Sequence, residues 1–123
     1  MPAHSPEEIH ALLAAAVNAG DADAFADLHE DDATVVVPPD GRQVSGRDAI
    51  RAATQPLLAR RPRAEIEVVG KLQAGDIALT HARVRVASAT DAGVAFTGRG
   101  TIVSRRRPDG TWRIVLDNPL SPE

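Results

Sequence analysis

The hydrophobic period of the chain changes once, and this change constrains the fold more than any other feature. Apolar residues recur at helical spacing from Ile9 to Val17 and again from Ile50 to Leu58, whereas from Glu65 onward they alternate with polar residues. A period of 3.6 indicates amphipathic helices and a period of two indicates strands. Helices followed by a run of strands predict an α+β fold, in which the helices cover one face of a curved antiparallel sheet.

Local signals place the ends of the predicted elements. Ser5-Pro6-Glu7-Glu8 combines an N-cap serine with a proline at the first helical position, and Asn18-Ala19-Gly20 ends that helix. Asp21 caps a second, shorter helix, and Ser45-Gly46-Arg47-Asp48 predicts the start of a third, which Pro56 should kink or shorten. Strands are predicted at 33–37 and near 64–73, 76–89, 95–107 and 111–117, joined by turns at 38–41, 74–76, 91–93 and 108–110.

Length and composition exclude several classes of protein. A chain of 123 residues has room for one domain, so we interpret residues 1–123 as a single folding unit. Cysteine is absent, which excludes disulfides, thiolate metal ligands and a cysteine nucleophile. The net charge of -3 argues against nucleic acid or an anionic membrane as a partner. Tyrosine is also absent and aromatic residues make up only 2%, so no phenol can stabilise an oxyanion and no stacking platform exists for bases.

Location and cofactors follow from what the sequence lacks. No apolar run approaches the ~18 residues of a membrane span, and the N-terminus has neither the basic nor the apolar region of a signal peptide, so we expect a cytoplasmic protein. The excess of arginine over lysine and the abundance of alanine are typical of a GC-rich bacterial genome. Neither a GxGxxG motif nor a Walker lysine is present, so we expect no cofactor.

The stretch HEDD at 29–32 concentrates four titratable side chains before a β-branched strand. Adjacent residues point in different directions, and no second histidine lies three or four positions away, so we expect no metal site. We interpret Asp31 and Asp32 as the outside of a helix-to-strand corner. His4 and His10 are expected to be solvated surface groups near the N-terminus.

Four short motifs in this order carry a resemblance to a known family: NAGD at a helix end, DDATV, SGRDAIR at a helix start, and the closing DGTWRIVLDNP. From about Ser5 to Pro119 the chain resembles the nuclear transport factor 2-like superfamily, in its bacterial SnoaL-like and ketosteroid-isomerase-like branch. The resemblance implies a cone-shaped sheet around a central pocket closed by helices, and a homodimer formed through the outer face of the sheet. It does not imply one activity, because the superfamily includes isomerases, cyclases, dehydratases, hydrolases and non-catalytic domains.

The catalytic residues of the isomerase are missing at the matching positions. Its tyrosine falls on Leu13, its proton-shuttling aspartate on Val37, and its second acid near Ile102. Because these side chains transfer no proton and stabilise no enolate, steroid isomerisation by the usual Tyr/Asp mechanism is excluded.

Strand alternation leaves two choices for the strand near 76–89. Composition alone would bury its face of Ala78, Thr80, Ala82, Val84 and Val86, whereas the match to the isomerase turns Leu79, His81 and Arg83 toward the pocket. On the last strand the same match turns Val115 and Asp117 inward, and it assigns Trp112, Ile114 and Leu116 to the outer, dimer-forming face.

The resemblance therefore predicts a site with His81 as general base, Asp117 as the orienting carboxylate and Arg83 as the cation that stabilises negative charge. Gly98 and Gly100 would leave its floor bare. The expected ligand is a small apolar or moderately polar molecule, bound by Leu13, Val37, Leu79, Gly98, Gly100, Ile102 and Val115. Two alternatives stay open: His81 and Asp117 belong to satisfied structural networks, or the domain binds a ligand or assembles as a dimer without catalysis.

Overall fold

The order of the elements follows the predicted change of period. A computed structural model describes residues 2–37, 41–87 and 94–121. Within these ranges the helices are α1 Pro6–Ala19, α2 Ala22–Asp27 and α3 Arg47–Ala59. The strands are β1 His29–Val37, β2 Arg42–Ser45, β3 Arg63–Ala74, β4 Ile77–Ala87, β5 Val94–Arg106 and β6 Trp112–Ser121. The turn predicted at 91–93, and residues 38–40 of the turn predicted at 38–41, lie outside the described residues.

The six described strands form one curved, unclosed sheet in the order β2-β1-β6-β5-β4-β3. From β3 to β6 each strand pairs antiparallel with the next along the chain, as predicted, and only the β1–β6 pair is parallel. This arrangement confirms the α+β fold with N-terminal helices. Strand β2 was not predicted, because its four residues are too few to show an alternating pattern.

The first two helices begin and end where the capping signals place them. The Ser5 side chain accepts a hydrogen bond from the Glu8 amide, and the Asp21 side chain accepts one from the Ala24 amide. Gly20 ends α1 at a φ of 67°, a left-handed conformation that glycine adopts without steric cost.

The start of α3 differs from the prediction. Gly46 is the N-cap, and it has no side chain that could form a cap bond. Ser45 does not cap the helix, because it ends β2 and its hydroxyl lies 2.8 Å from that of Thr34 on β1. The helix also continues through Pro56 to Ala59 rather than ending early. No helix in the described part of the chain is both long and apolar enough to cross a membrane.

A bulge in β6 decides which side chains of that strand enter the core. Val103 pairs with Leu116 and the next residue, Ser104, pairs with Ile114, so Val115 is an extra residue. The extra residue breaks the regular alternation and turns Ile114 and Asp117 toward the same face of the sheet. The expectation that Trp112 and Ile114 lie on the outer face is therefore wrong: both are buried in the core cluster, together with Ala3, Ile9, Leu13, Leu28, Ala78 and Ile102.

Candidate functional site

A cavity of about 150 Å³ lies between the helices and the inner face of the sheet. Helix side chains close one side, strands β3 to β6 form the other, and β1 contributes Val35 to Val37. Its lining is mostly aliphatic, with few polar groups: His10, Leu13, Val17, Phe25, Val35, Val36, Val37, Thr54, Leu57, Leu58, Pro62, Ala64, Ile66, Ala82, Val84, Val86, Gly100, Ile102, Asp117 and Pro119.

Five of the residues predicted from the sequence line this cavity: Leu13, Val37, Gly100, Ile102 and Asp117. Three of them are the apolar replacements for the isomerase's catalytic groups. A Cβ on Gly100 would lie 3.1 Å from Val84 Cγ2, so glycine is the residue that keeps this part of the floor open. The roles predicted for these residues stay predictions.

The predicted grouping of His81 and Arg83 with Asp117 is wrong, because both lie on the opposite face of the sheet. Asp117 pairs with Ile102, which pairs with Thr80; His81 pairs one position later, with Thr101. A one-residue difference in register reverses the face on which a side chain lies.

On that outer face, Nδ1 of His81 lies 3.1 Å from the Thr101 hydroxyl. Arg83 donates a 3.2 Å hydrogen bond to Glu67. Leu79 alternates with them on β4 and does not line the cavity. The structure buries the face of β4 that its composition favoured, with Ala78, Thr80 and Ala82 in the interior.

Two further predicted lining residues lie outside the cavity. Gly98 borders a separate open groove that also contacts Glu67 and Arg85. Val115 is the extra residue of the β6 bulge and is only partly buried. The bulge therefore explains why Asp117 reaches the cavity and Val115 does not.

His10 is a cavity residue that the sequence analysis placed on the surface. It is buried, and its Nε2 lies 2.6 Å from the hydroxyl of Thr80 on β4. Burial lowers the pKa of His10, while the negative charges of Asp117 and Glu7 act in the opposite direction. Helical spacing could have predicted the burial of His10, because position 10 lies one turn before Leu13 on the buried stripe of α1.

The depressed pKa of His10 predicts a loss of stability in acid. Unfolded histidine has a pKa near 6.5, so below this pH the unfolded chain binds a proton that native His10 refuses. The free energy of unfolding should therefore fall as pH drops from 7.5 to 5, and part of this fall should come from His10. Urea titrations of the His10→Gln variant should show a shallower dependence on pH. The exposed His4→Gln variant should keep the wild-type dependence, and equal slopes for all three proteins would contradict the assignment.

The HEDD stretch separates into two parts. Asp31 and Asp32 are exposed, as predicted, but they lie within β1 and not at a corner before it, because the strand begins at His29 and not at Ala33. Asp31 lies 3.0 Å from Arg47, with its side chain 90% exposed. His29 instead is fully buried, with Nε2 3.8 Å from the Asp117 carboxylate. Among the described residues, no three His, Cys, Asp or Glu side chains are grouped so as to hold a metal ion.

The site thus offers an apolar chamber with a carboxylate and a histidine in its wall. The apolar walls can enclose a ring or a short aliphatic chain, and Asp117 can accept a hydrogen bond or a proton from its occupant. The Nε2 atom of His10 is already engaged by Thr80.

Comparison with known proteins identifies the family to which this architecture corresponds. A family profile of the SnoaL-like domain matches residues 9–115. No curated protein matches the chain closely.

Solved structures with this fold are numerous. A domain of unknown function with a cystatin-like fold from Nostoc punctiforme superposes with a TM-score of 0.83 at 20% identity, over 95% of this chain and 75% of that one. An NTF2-like protein of unknown function from Pseudomonas putida gives 0.75 at 21% identity, over 94% and 82%. A Novosphingobium aromaticivorans protein, provisionally assigned as an aromatic ring hydroxylase, gives 0.74 at 22% identity, over 94% and 86%. At these identities the likeness concerns the fold.

Proposed function

Because the chain belongs to the SnoaL-like domain family, we propose that it binds one small, largely apolar molecule in the cavity between its helices and its sheet. The observation that carries this proposal is the cavity itself, whose lining is aliphatic except for a few polar groups. Concave, mostly apolar sites of this kind are the usual form of a small-molecule site.

The volume limits the size of the ligand. An apolar cavity of roughly 150 Å³ in another protein stays dry and accepts benzene. The cavity here has about the same volume, so a single six-membered ring would fit inside it. The four fused rings of a steroid would not. This size limit agrees with the apolar replacements Leu13, Val37 and Ile102, which separate the protein from ketosteroid isomerases.

Acid-base catalysis is the second function that the site supports. Asp117 lies in the wall of the apolar cavity, with only 11% of its side chain exposed, where a carboxylate is well placed to exchange a proton with a bound molecule. Isomerisation, cyclisation, dehydration and water addition all need such a group and no cofactor. Asp117 would be the catalytic residue, since His81 and Arg83 lie on the opposite face of the sheet and do not line the cavity.

Binding of a simple ring tests the proposal directly. Toluene at one hundred times its dissociation constant should raise the free energy of unfolding by about 2.7 kcal/mol, which shifts Tm by several degrees in a domain of this size. Amide chemical shifts should change at cavity residues such as Val37 and Ile102. No change in Tm and no perturbed signal with any benzene-sized ring would contradict the proposal.

For assembly, we propose a homodimer through the outer face of the sheet. Leu72, Leu79, Val103 and Leu116 pair in one row across β3 to β6. Leu72 is 76% exposed and Leu116 is 49% exposed, so a monomer leaves this row in contact with water. Arginine and glutamate side chains lie beside the row, as in the Arg83–Glu67 pair, and can form ion pairs across a two-fold axis.

A further inference from the structure

His29 is a buried histidine whose ring orientation is fixed by its surroundings. Its Nδ1 lies 2.9 Å from the Phe25 carbonyl oxygen, and its ring packs against the Phe25 ring with centroids 5.3 Å apart. Arg47 donates hydrogen bonds to the His29 carbonyl, which holds the backbone as well. Since a carbonyl oxygen only accepts, Nδ1 carries a hydrogen and the tautomer is determined.

Within the described part of the chain, the second ring nitrogen has no hydrogen-bond partner. His29 Nε2 is fully buried, and it lies 3.8 Å from Oδ2 of Asp117. At this distance the two atoms lie beyond hydrogen-bond range but in contact, so the buried imidazole limits where the Asp117 carboxylate can lie.

Asp117 connects this unit to the cavity. His29 does not line the cavity, whereas Asp117 does. A carboxylate oxygen has no hydrogen to donate, so Asp117 can accept a hydrogen bond from a ligand in the cavity.

We propose that the cavity selects a ring-sized neutral molecule with one hydroxyl or similar hydrogen-bond donor, which Asp117 accepts, and that His29 is the residue that positions Asp117. This inference rests on the proposed ligand-binding function. It adds the polarity of the ligand, which volume alone leaves undetermined. An anionic ligand is disfavoured, since its charge would face the Asp117 carboxylate without a donor between them.

Phenol, toluene and benzoate separate these possibilities, because they share one benzene ring and differ only in its substituent: a hydroxyl, a methyl or a carboxylate group. A site that accepts a hydrogen bond should bind phenol at least about tenfold more tightly than toluene, and benzoate more weakly than both. Dissociation constants come from amide chemical-shift titrations of the full chain. Toluene that binds as tightly as phenol, or benzoate that binds best, would overturn the proposed selectivity.

Variants test the part played by His29. In Asp117→Leu the preference for phenol over toluene should disappear. In His29→Leu it should fall several-fold without disappearing, while toluene affinity stays the same. His29→Gln should recover part of the preference, because the glutamine amide can donate to Asp117. The matched control is His81→Leu on the outer face, which should keep the full preference. An unchanged preference in His29→Leu, or an equal loss of both ligands, would show that His29 has only a structural role.

A second measurement works even where His29→Leu does not fold and where neither ring binds. The 15N signals of the imidazole nitrogens report hydrogen bonding at each ring separately. Replacing Asp117 with leucine should move the Nε2 signal of His29 and leave both signals of His81 in place. A His29 signal that does not move would overturn the pairing. Failure of toluene and phenol to bind would contradict the proposed function, and the nitrogen signal would still decide the pairing.

Discussion

Replacing Trp112 with arginine should unfold the protein at ordinary temperature. Trp112 is 4% exposed, packs in the core cluster and donates its amide hydrogen to the Ala3 carbonyl. Truncating a buried tryptophan costs about 3 to 5 kcal/mol, and an unpaired buried charge adds to this loss. Total stability of a domain is about 5 to 15 kcal/mol, so most of it would disappear. We expect circular dichroism of the variant to show no cooperative thermal transition.

The matched control is arginine at Leu116, four residues later on the same strand. Leu116 belongs to the exposed row of the outer face, so its replacement should leave Tm within a few degrees of the wild type. If the proposed homodimer exists, sedimentation should show a dimer for the wild type and a monomer for Leu116→Arg. A folded Trp112→Arg protein that only dissociates would contradict the core position of Trp112, and a wild-type monomer would contradict the dimer.

This pair of substitutions also marks the point where prediction from the sequence failed. Regular alternation along β6 would place Trp112, Ile114 and Leu116 together on one face, and only Leu116 follows that expectation. The extra residue Val115 shifts the alternation, and nothing in the sequence WRIVLDNP indicates a bulge. Alternation predicts the face on which a side chain lies where strand pairing is regular, and it fails across a bulge.

The parts of the fold that could be predicted depend on local chemistry. Ser5, Asp21 and Gly20 determine helix ends through hydrogen bonds and backbone conformation within a few residues, and the structure contains those interactions. The antiparallel strands were visible because their period of two extends over ten or more residues. The parallel contact of β1 with β6 joins residues about eighty positions apart, so no local pattern could reveal it.

The site could be predicted only in part. Asp117 was placed correctly in the cavity wall through the family resemblance, but the same resemblance turned His81 inward against the composition of β4. The apolar face of β4 was the better guide, since burying Arg83 and Arg85 instead would require partners for two charges. His10 was missed although its helical spacing to Leu13 places it on the buried stripe. His29 was missed because the three acidic residues after it make the stretch look like an exposed one.

Filling the cavity at Gly100 should abolish ligand binding while the protein stays folded. Gly100 lines the cavity, and a side chain there would meet Val84 Cγ2 at 3.1 Å and Pro119 Cα at 3.7 Å. The remaining atoms of a leucine would extend into the chamber of about 150 Å³ and occupy much of the space of a bound ring. Overpacking of this kind costs about 1 to 3 kcal/mol, less than the expected total stability. Toluene should then leave the Tm of Gly100→Leu unchanged.

Gly98→Leu is the control that makes the result specific. Gly98 alternates with Gly100 on the same face of β5, but it borders the open groove and not the cavity, and its nearest neighbour to a new Cβ is the Pro119 carbonyl oxygen at 3.9 Å. Both variants add the same side chain to the same strand, so any general effect of leucine on β5 should appear in both. The toluene-induced rise in Tm should therefore survive in Gly98→Leu and vanish in Gly100→Leu. If both variants keep it, the ring binds elsewhere. If both lose it with a folded spectrum, the loss is a general effect of leucine on β5, and the assignment of the ring to the cavity is contradicted.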